Sequence, residues 1–154
     1  AIECFPHQIA FNLFPQIDEL EDNGYTREEM KMVWETQKIM NDPQIKINAT
    51  AVRVPVFYGH SEALHIETKE FISQPDLLNL LESTPGINLM QDDYPTPVSH
   101  AASQDDIFVG RVRQDLSHPN GVNLWVVADN IRKGAALNAV QIAELLVNRD
   151  RVLH

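Results

Sequence analysis

The segment Ala51-Val-Arg-Val-Pro-Val-Phe-Tyr-Gly-His-Ser-Glu62 most constrains what this chain can fold into. Val52, Val54, Val56, Phe57 and Tyr58 make a strongly β-prone run, and a strand with so many apolar positions expects cover on both faces. Arg53 lies inside that run. A lone guanidinium is costly to bury, so Arg53 requires an anion, either a carboxylate of the chain or a ligand. In a regular strand it shares a face with Ala49 and Ala51, whose small side chains leave room beside it, while Val52, Val54 and Val56 take the other face. Its planar fork suits two-point contact with a carboxylate. His60 follows Gly59, where the run should break, and an imidazole changes charge near neutral pH. A straight strand would hold Arg53 and His60 about 23 Å apart on opposite faces, so they share a site only if the chain bends, for which Pro55 and Gly59 are suited. An anion-binding arginine and a titratable histidine this close in sequence predict an active site. The plainer readings are an arginine paired with one of the chain's own carboxylates and a capping or surface histidine.

The bulk properties narrow the class. With 154 residues and 44% hydrophobic content, the chain predicts one domain, residues 1–154, with a real core. A formal net charge of -10 and the lack of a basic stripe argue against a nucleic-acid partner. No apolar run approaches the roughly 20 residues of a membrane span, and no secretory signal is present. The single cysteine, Cys4, excludes an internal disulfide and fits a reducing, cytoplasmic setting. The chain opens Ala-Ile-Glu-Cys without an initiator methionine, which reads as a piece of a longer protein.

Helical spacing covers residues 7–22, interrupted at Pro15. Asn23-Gly24 is a stop. Thr26-Arg-Glu-Glu29 is a capping box for a helix running to about Asn41, with Met30, Val33, Trp34 and Gln37 along one side. Strands are expected near 45–58 and 62–70, then a short helix starting at Ser73 and a strand over Ile87–Met90. Residues 92–105 form a loop. Strands over 106–115 and 121–128 are joined by a hairpin turn at Ser-His-Pro-Asn-Gly, and Asp129 caps a last helix whose apolar line is Ile131, Ala135, Ile142 and Leu146. Strand and helix do not alternate strictly. The expected class is therefore α+β, a mixed, largely antiparallel sheet with helices on one face. Something else must cover the other face, and a second subunit is the natural cover.

Three further places have a chemical reading and a plain one. Glu28 and Lys31 share a face in the first turn of their helix, where a solvated ion pair is the ordinary outcome. A lysine there opposes the helix dipole, however, and a bound phosphate would turn it into part of an anion site. Asn130 offers an amide to a ligand or competes with Asp129 as the cap. His7, His65, His100, His118 and His154 read as structural or exposed, and no histidine pair has metal-ligand spacing, so no metal is predicted. Nothing near Cys4 would lower its pKa, so it is not a nucleophile.

Taken in order, Phe11-Asn-Leu-Phe-Pro-Gln-Ile-Asp18, Asn23-Gly-Tyr-Thr-Arg-Glu-Glu-Met-Lys31, Trp34-Glu-Thr-Gln-Lys38, Val52-Arg-Val-Pro-Val56, Gly59-His-Ser-Glu62 and Asp129-Asn-Ile-Arg-Lys-Gly-Ala-Ala136 resemble the C-terminal part of bacterial aspartate-semialdehyde dehydrogenase. The resemblance spans nearly the whole chain. It implies a two-domain enzyme of the glyceraldehyde-3-phosphate dehydrogenase type that reductively dephosphorylates aspartyl-β-phosphate with NADPH through a cysteine-bound acyl-enzyme. It further implies that His60 is the general acid/base, that Arg53 binds the substrate α-carboxylate, and that Glu28 meets the ammonium group. Lys31 then stands at the phosphate position and Asn130 near the nicotinamide. The outer sheet face of such a domain forms a homodimer.

The chain departs from the family pattern in two respects. It has neither the Asn-Cys-Ser/Thr setting of the nucleophile nor the glycine-rich phosphate loop of a Rossmann domain. The expectation is therefore a catalytic and dimerisation domain without its cofactor domain, inactive alone. Three other readings compete: a sister reductase of N-acetyl-glutamyl phosphate, a catalytically dead paralogue, and a plain dimerisation module. A carboxylate at an ammonium position favours the free amino acid over its acetylated counterpart. The presence of Glu28, Lys31, Arg53 and His60 together argues for an enzyme.

Overall fold

The computed structural model describes residues 4–152, with side chains through Asn148; His154 lies outside them. Contacts divide the chain into two compact units, Ala1–Pro55 and Val56–His154.

Among the described residues of the first unit the regular element is helix α1, Arg27–Ile39. It begins where the capping box predicts: Thr26 Oγ1 accepts from the Glu29 N–H at 3.2 Å, and Glu29 Oε2 accepts from the Thr26 N–H at 2.8 Å. It ends at Met40, before Asn41 takes the left-handed φ of 51°. Of the expected apolar line, Met30 and Val33 are partly covered and Trp34 is exposed. The helix expected over 7–22 does not form. Left-handed φ values at Phe11 (58°) and Asp18 (69°) interrupt it on either side of Pro15, leaving turns instead.

The strand expected near 45–58 is also corrected. The chain is extended and keeps a period of two, odd residues from Ile45 to Arg53 being more covered than even ones, but no ladder forms. Its only bridge joins Arg53 to Phe14. Side chains replace the ladder: Gln37 Nε2 donates to the Ile45 carbonyl at 3.0 Å, and the Ala51 N–H donates to Glu29 Oε1 at 2.8 Å. Val52, Val54 and Val56 stay exposed, so the valine face lacks the cover that its composition predicts.

The second unit holds four strands, β1 His60–Glu67, β2 Ile87–Met90, β3 Ile107–Gln114 and β4 Gly121–Ala128, in the order β1-β4-β3-β2. The β1–β4 and β4–β3 pairs are antiparallel and β2–β3 is parallel, which is the expected mixed, largely antiparallel sheet. Asp115 and Gly121 close the β3–β4 hairpin, the Asp115 N–H donating to the Gly121 carbonyl at 2.8 Å. Helix α2, Gln74–Ser83, is capped by Ser73 and covers one sheet face, where Leu77, Val109, Val112, Val122 and Leu124 form the core. On the other face a π-helical turn over Pro97–Ala101 packs its Ala101 with Phe108 and Val127, and Ala63, Arg111 and Arg113 beyond it are exposed, leaving that part open. The last helix, α3 Leu137–Val152, follows a second π-helical turn over Arg132–Ala136. It does not cover the sheet: Ile131, Ile142, Leu145 and Leu146 are all more than half exposed.

Candidate functional site

Three of the expected site residues lie in the first unit. Lys31 Nζ stands 3.2 Å from Glu28 Oε2 and 3.8 Å from Asp18 Oδ2, so one ammonium is shared by two carboxylates. Side chains of all three are between about one third and one half exposed (45% for Lys31, 42% for Glu28, 36% for Asp18). Such a pair contributes little to stability, since water screens it. Asp18 was not anticipated; no local pattern joins it to Lys31, because its left-handed turn sets its direction.

Arg53 is partly covered and exchanges backbone bonds with Phe14 in both directions, at 2.8 and 3.0 Å. Its guanidinium carbon lies 5.1 Å from the centre of the Phe5 ring, a cation–π contact. Among the described residues it makes no ion pair.

His60 and Asn130 lie in the second unit. Gly59 takes φ +74°, and a Cβ there would meet the Ala128 carbonyl oxygen at 2.9 Å and Pro97 Cβ at 3.3 Å. Only glycine fits that turn, and it delivers His60 as the first residue of β1. Because His60 pairs with Ala128, the ladder brings His60 to the end of the sheet from which Asp129 and Asn130 depart. The His60 Nε2 lies 3.6 Å from Glu62 Oε1, both side chains being 46% exposed. Asp129 caps the following turn, as expected: its Oδ1 accepts from the Ile131 and Arg132 N–H groups at 2.9 and 3.1 Å, and its Oδ2 accepts from the Ser103 N–H at 2.8 Å. The Arg132 N–H, then those of Ser103 and Ile131, hold its carboxyl below the usual range. With the cap role taken by Asp129, Asn130 is exposed and its amide makes no side-chain hydrogen bond among the described residues.

Sequence reasoning missed the second task of Glu29. Besides capping α1 it holds the Ala51 N–H, and the Thr26 and Ala51 backbone donors lower its pKa. That contact crosses from helix to extended segment and leaves no local signature. Of the histidines read as structural or exposed, His7 is exposed, His65 pairs with Asp115, His100 Nδ1 accepts from the Thr96 N–H at 3.0 Å, and His118 Nδ1 accepts from the Asn120 N–H at 3.2 Å.

Comparison with known proteins shows what the chain resembles as a whole. The model of the semialdehyde dehydrogenase dimerisation domain matches residues 2–133, running across both units. Over 144 residues the chain is 64% identical to aspartate-semialdehyde dehydrogenase 2 of Vibrio cholerae, covering 93% of this chain and 43% of that protein. It is 62% identical over 149 residues to the aspartate-semialdehyde dehydrogenase of Legionella pneumophila, again covering 43% of it. The crystal structure of the Vibrio cholerae enzyme II complexed with ASA superposes with a TM-score of 0.93 at 62% identity, over 96% of this chain and 44% of that one. A Candida albicans aspartate semialdehyde dehydrogenase with NADP gives a TM-score of 0.72 at 25% identity, over 90% of this chain and 45% of that one. The chain thus spans under half the length of these relatives, and across that span it belongs to the semialdehyde dehydrogenase dimerisation-domain family.

Proposed function

We propose that the protein carrying this sequence is an aspartate-semialdehyde dehydrogenase and that this chain supplies its substrate-binding, proton-handling and dimerisation part. The observation that carries the reading is the 64% identity over 144 residues to the Vibrio cholerae enzyme. The local geometry supports it: an arginine with no ion pair among the described residues, a lysine beside exchangeable surface carboxylates, and a histidine presented by a glycine turn.

The reaction reduces aspartyl-β-phosphate to aspartate semialdehyde, releasing phosphate. A cysteine thiolate from the rest of the enzyme displaces phosphate to form a thioester, and reduction of that thioester gives a thiohemiacetal. NADPH, when bound, supplies the hydride. Arg53 grips the substrate α-carboxylate in two-point contact, and Glu28 meets its ammonium. Lys31 exchanges Glu28 and Asp18 for the phosphate oxygens. His60 takes the hydroxyl proton of the thiohemiacetal as the carbon–sulfur bond breaks and the aldehyde forms. The uncommitted Asn130 amide suits a carboxamide such as that of nicotinamide. The single cysteine fits a reducing compartment, and we assign the enzyme to the cytoplasm. Two copies associate through the open sheet face.

The deciding assay follows phosphate-dependent reduction of NADP by the whole protein with aspartate semialdehyde, beside N-acetyl-glutamate semialdehyde. Turnover of the first substrate alone is expected. Turnover of the second alone would move the protein to the sister reductases and leave Glu28 without a role. The chain by itself is expected to show no turnover. In the whole enzyme, His60→Asn should lower kcat by roughly 10²–10⁴-fold, the span of general acid–base catalysis.

A further inference from the structure

The open sheet face carries a charge arrangement that the catalytic reading does not use. Ala63, Tyr94, Arg111, Arg113, Leu124 and Trp125 line a shallow concavity of about 260 Å³ there. The register of β3 against β4 breaks between Gly110 and Arg113, and Arg111 inside the break takes φ +55°. A left-handed arginine is an uncommon arrangement that needs support from its surroundings. The break leaves Arg111 and Arg113 both exposed, with Val112 between them in the core. Arg113 Nη1 donates to the Arg111 carbonyl at 2.8 Å. Neither arginine forms an ion pair among the described residues, in a chain of net charge -10 with 22 acidic residues. Two unmatched cations beside exposed Tyr94 and half-covered Trp125 fit a protein surface that brings carboxylates, rather than a small ion.

The nearest supply is the chain itself. Asp92 and Asp93 are exposed and directly precede Tyr94, and the Asp93 carbonyl oxygen would lie 3.5 Å from a Cβ on Gly110. The acidic pair thus borders the same patch as the arginines. An isologous interface uses one surface twice, so a two-fold axis through that patch brings both the cation pair and the acidic pair of each copy to the contact, where opposite charges match. We propose that Arg111 and Arg113 receive Asp92 and Asp93 of a second copy and fix the register of the dimer. This rests on the reading of the chain as a dimerisation unit and adds the residues that specify the contact.

The test is a charge swap in the whole protein. Sedimentation would be run on the wild type, on R111E/R113E, on D92K/D93K and on an equal mixture of the two variants, with thermal melting to verify folding. Each variant alone should dissociate with a Kd raised about tenfold or more, since like charges would then face each other. The mixture should regain a heterodimer near wild-type affinity, and wild-type association should weaken from roughly 50 to 500 mM salt. Folded variants that dimerise as tightly as the wild type, or a mixture that stays dissociated, would overturn the proposal. Turnover of aspartate semialdehyde on the same preparations reports the catalytic reading separately. Turnover without a swap effect removes the interface alone, and a working swap without turnover removes the catalytic assignment alone.

Discussion

At the scale of single residues, groups that hold the fold differ from groups whose contacts are exposed to water and which are proposed to meet a ligand. Glu29 belongs to the first kind: it is 6% exposed and accepts from the Thr26 and Ala51 N–H groups. Glu29→Gln should cost about 2–3 kcal/mol, the sum of a weakened cap and a lost charge-assisted bond, measurable by urea unfolding. Lys31 belongs to the second. Its pairs with Glu28 and Asp18 are exposed enough for water to screen them, so Lys31→Met should change stability by less than about 1 kcal/mol. The same change should raise the KM for phosphate in the whole enzyme. A large loss of stability with unchanged phosphate saturation would reverse the assignment. Helix spacing picked out the Glu28–Lys31 ion pair, while its proposed substrate and phosphate roles come only from the family resemblance; chemical reasoning about a lone guanidinium picked out Arg53. Neither Asp18 nor the Ala51 contact of Glu29 was legible, because each depends on where a distant backbone turn places a group.

At the scale of elements, capping and turn chemistry carried most of the information. The Thr26 box starts α1, Ser73 starts α2, and Asp129 caps the turn leading toward α3, each where a short polar side chain can satisfy free N–H groups. Periodicity was a poorer guide for residues 7–22 and 45–58. The first has helical spacing but contains two left-handed residues; the second has strand composition but only a single bridge for pairing. A strand is a property of two segments, so composition in one of them does not determine it. Two tests belong here. Gly59→Ala should cost about 1–3 kcal/mol, since it combines a left-handed backbone with a Cβ 2.9 Å from the Ala128 oxygen. It should also lower kcat in the whole enzyme by displacing His60. Leu77→Ala, in the α2–sheet core, should cost about 2–4 kcal/mol by thermal melting and leave His60 in place.

At the scale of the whole molecule, charge sets the response to acid. Glu29, Asp115 and Asp129 all have carboxyl pKa values below their ordinary ones. Asp115 is lowered from 3.8 to about 2, first by the Ser117 backbone N–H, then by the Ser117 hydroxyl and by His65. A group whose folded pKa is depressed favours the folded state above its unfolded value, and that preference is lost as pH falls through the folded value. Stability should therefore be level near neutrality and decline from roughly pH 5 down to about 2, readable as a falling Tm. A melting temperature constant to pH 3 would contradict it. The sequence by itself determined the chemistry available and the local starts and stops of the chain: which groups are candidates to bind an anion or carry a proton, where caps form, and where glycine must turn. These are decided within a few residues by sterics and hydrogen-bond valence. Only the tertiary structure decided that β1 pairs with β4, bringing His60 beside Ala128, and that Arg111 and Arg113 lie exposed on one sheet face with no ion pair among the described residues. Those outcomes follow from pairing between distant segments and from which apolar surfaces find cover, and no local pattern encodes either.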